Sequence, residues 1–197
     1  MSGDDVSWPD VLRPERALLG VAAWSGTGKT TLLEALLPRL DGMGLRCAVI
    51  KHAHHSFEVD QPGKDSHRLR QAGASPMLVA SRSRVALMME TPDRQEADLS
   101  LLLAMVEPLE PDLILVEGFK RWPLPKLELH RAALGEPLLA TQDPWVQAVA
   151  VDIDPGLPER VERLDLNDTA AIAEWVREWT QQWPSHCERL LGRKERP

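Results

Sequence analysis

The stretch Ala23-Trp24-Ser25-Gly26-Thr27-Gly28-Lys29-Thr30 decides how the rest of the chain is read. It has the glycine spacing and the closing Lys-Thr pair of a phosphate-binding loop, with Ala where such loops usually open with Gly. Upstream, Leu18-Leu19-Gly20-Val21-Ala22-Ala23 is a short continuous apolar run, the pattern of a strand covered on both faces. Downstream, Leu32, Leu33, Leu36, Leu37 and Leu40 fall on one helical stripe, and Pro38 is expected to bend or end its last turn. Strand, loop and helix in that order are what a phosphate site requires. Small residues let successive backbone N–H groups converge on phosphate oxygens, and the helix N-terminus faces the anion. Lys29 is then expected to bridge the β- and γ-phosphates, and the Thr30 hydroxyl to contribute to a Mg²⁺ site. Ser25, Gly26, Thr27, Gly28 and Thr31 complete the expected nucleotide contacts.

A second signal lies in Asp112-Leu113-Ile114-Leu115-Val116-Glu117-Gly118-Phe119, an apolar strand ending in a carboxylate. In phosphate-loop folds an acid at that strand tip holds Mg²⁺, directly or through water, or orients the attacking group. Glu117 therefore joins Lys29 as a candidate catalytic residue, and Gly118 beside it allows a close approach of backbone or ligand.

The third signal is the polar stretch from Lys51 to Ser66, which leaves the second apolar strand, Arg46 to Lys51. His52 and His54 share a face if the chain is extended, so a metal pair is one reading. No Cys or further His is spaced to complete a tetrahedral site, and the other reading is a polar loop near phosphate. Lys51, His52, His54 and Lys64 are the candidates for contacts to a γ-phosphate. Asp60 is the favoured additional Mg²⁺ ligand, with Asp65 the cap of the next helix and second choice.

Further elements alternate. A short helix near 65–72 is expected to stop at Gly73, and strands at 77–80 and 85–89 form a hairpin that would add an antiparallel edge. Leu99, Leu102, Leu103 and Val106 mark a helix, strands follow at 126–130 and 146–151, and Ile172, Trp175, Val176, Trp179 and Trp183 share one face of a last helix. The expected fold class is α/β: a phosphate-loop NTPase fold with a mostly parallel sheet and helices on both faces. A flexible arm over 1–16, one nucleotide-binding domain over 17–183 and a polar tail over 184–197 make up the expected organisation.

Composition limits the partners. The 197 residues carry 23 Lys+Arg against 30 Asp+Glu, a formal charge of −7, without the basic field that nonspecific binding to nucleic acid needs. The first residues lack the positive start and apolar stretch of a signal peptide, and no apolar run approaches a membrane span, so a cytoplasmic protein is expected. Cys47 and Cys187 lie far apart in no metal-ligand spacing and read as ordinary thiols. There is no Tyr, so aromatic stacking on a base falls to seven Trp, two Phe or the histidines. Trp175, Trp179 and Trp183 are expected in the core or on a dimer surface rather than around a cofactor. Trp24, inside the loop, has two readings: packing beside a nucleotide or shielding the turn.

Taken together, AAWSGTGKTTL at Ala22 to Leu32, IKHAHH at Ile50 to His55, VDQPGKDS at Val59 to Ser66, LRQAGA at Leu69 to Ala74 and DLILVEGFK at Asp112 to Lys120 resemble the MobB family, GTP-binding adapter proteins of molybdopterin-guanine dinucleotide biosynthesis. The resemblance spans about residues 17 to 180 in family order. It implies GTP as preferred ligand with Mg²⁺, weak hydrolysis, a homodimer, and action beside the guanylyltransferase MobA, which joins GMP to molybdopterin. Molybdopterin itself and molybdoenzyme maturation proteins are further candidate partners. The chain has no Asn-Lys-x-Asp guanine signature, and Asp152, at the end of the strand 146–151, is the candidate acceptor for the guanine N1 and N2 hydrogens. Trp24 and Ser25 stand where deviant loops carry an additional Lys, and no Gln or arginine finger is evident, so turnover is expected to be slow. The competing reading is a small-molecule kinase that phosphorylates a pterin or nucleoside-like acceptor.

Overall fold

In the computed structural model, residues 15–53, 57, 59–91 and 96–186 are described. Grouping by proximity divides the chain into two compact units, one of Met1–His52 with Leu99–Pro197 and one of Ala53–Asp98.

The first unit is built on a six-stranded sheet in the order β2-β5-β1-β6-β7-β8, parallel at every pairing. Its strands are β1 (Ala17–Ala23), β2 (Cys47–Lys51), β5 (Leu113–Glu117), β6 (Lys126–His130), β7 (Val146–Val151) and β8 (Glu162–Asp165), with helices α1 (Lys29–Gly42), α3 (Leu99–Val106) and α4 (Thr169–Gln181). Successive strand residues point to opposite faces, so burial of all seven residues of β1 and all five of β6 means that both faces are covered there. After β1 the chain builds β2 and then β5 on one side, and β6, β7 and β8 on the other. The winding thus reverses at β1, which places the ligand crevice of an open α/β sheet beyond its carboxyl end.

Local sequence explains each element. α1 buries Leu32, Leu33, Leu36 and Leu40. Pro38 does not end the helix, which continues to Gly42; Pro38 and Glu34 are both exposed, so the Glu34 carbonyl that loses its donor faces water. α4 is capped by Asp168, whose side chain accepts from the Ala171 N–H at 2.9 Å. The tryptophan stripe is core: Trp179 and Trp183 are buried, and Trp179 Nε1 donates to the Leu18 carbonyl of β1 at 3.2 Å. β8 was not legible in the sequence, because of its four residues only Leu164 is buried and it pairs with β7 alone.

The second unit holds α2 (Asp65–Gln71) and the antiparallel strands β3 (Met77–Ala80) and β4 (Val85–Met88). The hairpin expected here is present, and it forms a sheet of its own instead of an edge of the large one. The cap position of α2 is Lys64 rather than Asp65, with no side-chain cap bond; Asp65 is the first helical residue, where its charge suits the helix dipole. No described helix is long and apolar enough to cross a membrane.

Candidate functional site

The loop between β1 and α1 lies at the carboxyl end of the central strand. Thr27 is buried and folds the turn, its N–H and Oγ1 both donating to the Trp24 carbonyl at 3.3 and 2.8 Å. Gly28, with φ of 99°, is the N-cap of α1, a left-handed conformation that a side chain would strain. Ser25, Gly26, Thr30 and Thr31 are exposed around it, as ligand-contacting groups must be.

Register brings the acid to this loop. β1 pairs with β5 so that Val21 lies opposite Glu117, and β2 pairs with β5 so that Lys51 does. The Glu117 carboxylate, 12% exposed, then receives Lys29 Nζ at 3.3 Å and Lys51 Nζ at 3.1 Å. The His52 N–H donates to the Glu117 carbonyl at 2.9 Å and continues the ladder by one rung. A Cβ on Gly118 would meet the His52 Cβ at 2.8 Å, so only glycine permits this approach. The His52 ring stacks on Phe119 with centroids 5.0 Å apart.

Two cations that the sequence reading missed complete the rim. Lys120 Nζ sits 4.4 Å from the Trp24 ring centroid, and burial, with Lys29 nearby, pushes its ammonium below the ordinary lysine range. Arg131, the residue after β6, donates from Nε to the Thr27 carbonyl at 3.4 Å and pairs with Asp152 at 3.6 Å. Only adjacency of β6 to β1 reveals Arg131. Lys120 had a weaker signal, lying three residues past the strand-tip acid.

The segment after Arg131 is fastened at several points. Trp24 Nε1 donates to the Pro137 carbonyl at 2.8 Å, so this tryptophan ties the loop to the segment. Glu128, fully buried, accepts from the Leu139 and Ala140 N–H groups at 2.7 and 2.8 Å; burial raises its carboxyl above the ordinary range against the pull of those bonds. Buried Lys126 donates to the Trp122 carbonyl at 2.6 Å and to Asp143 at 2.9 Å.

Asp152 stands at the end of β7, with Oδ1 accepting the N–H groups of Ala132 at 3.0 Å and Ile153 at 2.9 Å. The Ala132 bond is the main reason its carboxyl lies below the usual aspartate range, helped by Ile153 and Arg131. Asp60 and Lys64 belong to the second unit. There Asp60 Oδ1 accepts from Ser66 Oγ at 2.8 Å and from the Gln61 N–H at 2.9 Å, while Oδ2 faces Arg70 Nε at 3.5 Å. Lys64 is exposed before α2. His54 lies outside the described residues.

The donor set at the loop suits Mg²⁺. Thr30 and Glu117 offer hard oxygen donors, and among the described residues no group of three or more His, Cys, Asp or Glu is gathered for a metal. Mg²⁺ commonly binds through one or two protein oxygens together with phosphates and waters, and needs no all-protein cage.

Comparison with known proteins shows the family of the chain. The family described as "Molybdopterin guanine dinucleotide synthesis protein B" matches residues 18–152. The molybdopterin-guanine dinucleotide biosynthesis adapter protein of Escherichia coli (strain K12) is 49% identical over 166 residues, 84% of this chain and 94% of that relative. Its counterpart from Haemophilus influenzae is 43% identical over 164 residues, 82% of this chain and 88% of that one. A crystal structure of molybdopterin-guanine biosynthesis protein B shares the fold, with a TM-score of 0.66 at 22% identity over 83% of this chain and 99% of that one. Matched from the strand that delivers the phosphate loop through to Asp152, and along most of the length of both relatives, the chain belongs to the molybdopterin guanine dinucleotide synthesis protein B (MobB) family.

Proposed function

We propose that this chain is a GTP-binding adapter in molybdopterin guanine dinucleotide biosynthesis, a homodimer that works beside a MobA-type guanylyltransferase and hydrolyses GTP weakly. The observation that carries the nucleotide site is the convergence of Lys29 and Lys51 on Glu117 beside the N-terminus of α1. In this reading the backbone of Ser25 to Lys29 wraps the phosphates, with Thr31 beside it. Lys29 leaves Glu117 to neutralise phosphate charge, and Lys51 remains as its partner. Thr30 and Glu117 would hold Mg²⁺, which supplies charge neutralisation between phosphate oxygens. Asp60 is a weaker candidate for that role, since Ser66, Gln61 and Arg70 already occupy its oxygens. His52 and Lys64 remain candidates for contacts to a γ-phosphate or pterin.

Slow turnover is expected from the sequence motifs, which carry no evident catalytic Gln. A long-lived bound state is useful to an adapter. The homodimer is supported by the hairpin, whose Leu78, Val85 and Leu87 are 61%, 64% and 45% exposed.

The test is to incubate the chain with labelled GTP, Mg²⁺ and a panel of pterins and nucleosides, with and without the guanylyltransferase. The adapter reading expects label in guanine dinucleotide only when the transferase is present, in greater yield with this chain than without it. Stoichiometric phosphate transfer to an acceptor by this chain alone would establish the kinase reading instead.

A further inference from the structure

Arg131 leaves β6 beside the phosphate loop because β6 pairs directly with β1, with Ala23 opposite Leu129. Its guanidinium comes within 3.9 Å of the position a Cβ on Gly28 would take, at the N-cap of α1 where phosphate is expected. The side chain remains 37% exposed, so it is fixed and still reachable. Its fixing is unusually complete. Asp152 holds the guanidinium through Oδ2 and the backbone of the next residue, Ala132, through Oδ1. Glu128 and Trp24 anchor the segment farther along. An arginine that served only to cap the Thr27 carbonyl would not need a carboxylate gripping both its charge and the backbone N–H of the residue after it.

Asp152 is correspondingly committed. One oxygen takes two N–H groups and the other takes Arg131. A carboxylate that reads the N1 and N2 hydrogens of guanine needs both oxygens turned to the base, and here both face protein.

We propose that Arg131 is a second fixed cation for the phosphates of the bound nucleotide, supplied by the same chain, and that Asp152 is its positioning residue rather than the reader of guanine. The ligand class is a nucleoside polyphosphate, and the proposal rests on the nucleotide reading above. Because the contact is to phosphate, it discriminates nothing between bases. With Nε at the Thr27 carbonyl and Nη1 at Asp152, Nη2 is the nitrogen left to donate to a phosphate oxygen, held in a plane that a flexible lysine ammonium does not reproduce.

The test measures GTP and ATP affinities of the full-length chain and of Arg131→Gln, Arg131→Lys, Asp152→Asn and the double variant Arg131→Gln/Asp152→Asn. Asparagine keeps an oxygen for the Ala132 and Ile153 N–H groups, while the charge is lost and the atom facing Arg131 becomes an amide donor. The expected losses are roughly 10- to 100-fold for Arg131→Gln and about 3- to 10-fold for Asp152→Asn, equal for GTP and ATP. Arg131→Lys should fall between Arg131→Gln and the unaltered chain. In the Arg131→Gln background, Asp152→Asn should cost nothing further, because its effect passes through the arginine. Loss of GTP preference in Asp152→Asn with ATP affinity unchanged would overturn the proposal in favour of base reading. Unchanged affinities in both Arg131 variants would overturn it outright. If the unaltered chain bound neither nucleotide, the function proposed above would fail and this inference with it.

Discussion

The two compact units of this chain solve burial in opposite ways. In the first, β1, β5 and β6 bury nearly every residue, and two of the polar groups among them, Glu128 and Lys126, find partners within the unit. In the second, α2 buries nothing, and the hairpin strands leave most of their apolar side chains exposed. A two-stranded hairpin is marginal in water without further cover. The first unit buries its own core and holds the loop proposed above to bind phosphate. The second is built from residues that favour strands yet gain little from folding alone, and in the function proposed above it serves as the dimer surface.

Several perturbations break or sharpen that contrast. The largest effect is expected from Lys29→Ala, which removes the phosphate cation of the first unit and should weaken GTP binding by about 100-fold or more in a calorimetric titration. Oligomeric state should not change with it. Retained affinity would remove the argument from the loop. The converse experiment introduces charge into the hairpin, as Leu78→Asp with Val85→Asp. Light scattering should then report monomer in place of dimer, while GTP affinity stays within about twofold. A dimer that survives would move the assembly surface elsewhere.

A smaller effect is expected within the finished core. Glu128→Gln leaves one oxygen for two backbone donors and turns an amide N–H toward one of them, at a cost of about 1–3 kcal/mol in denaturant unfolding. The smallest concerns acid. Burial pushes the Asp60 carboxyl upward, but bonds from Ser66, Gln61 and Arg70 outweigh it and hold the group below the ordinary value of 3.8. A lowered value means that its contribution to stability is present above pH 3.8 and is lost as pH falls through the folded-state value. Protection factors over residues 60–90, corrected for the intrinsic pH dependence of amide exchange, should therefore fall below about pH 4, and Asp60→Asn should show the lower protection and faster exchange already at neutral pH. Exchange in the variant equal to that of the unaltered chain would deny Asp60 its structural role.

Much of the first unit was legible in the sequence, because its signals are local. The apolar run at 18–23, the glycine loop and the leucine stripe of α1 need only neighbouring residues to be read. Glu117 was legible as an acid at a strand tip. The ordering β2-β5-β1 then brought it to Lys29. Arg131 and the segment from 131 to 143 were not legible, since their meaning comes from Pro137 meeting Trp24 and Arg131 meeting Thr27, across more than a hundred residues of chain. Asp152 shows the same limit. Its position at a strand end was right, but only its partners reveal which group it serves.

The hairpin gives a different lesson. Its strands were readable from composition, and an edge of the large sheet was the natural place to put them, because apolar strands normally find cover. The structure keeps them as a separate pair. Alternation along a strand reports which side chains want burial, and says nothing about whether the same chain provides it.

The central claim is that the phosphate loop of the first unit binds Mg²⁺-GTP. It is tested most directly by titrating the full-length chain with GTP in the presence of Mg²⁺, with GTP in EDTA, and with ATP in Mg²⁺. The account predicts one GTP per chain, bound more weakly without Mg²⁺ and more tightly than ATP. Absence of GTP binding, or ATP bound as tightly as GTP, would contradict it.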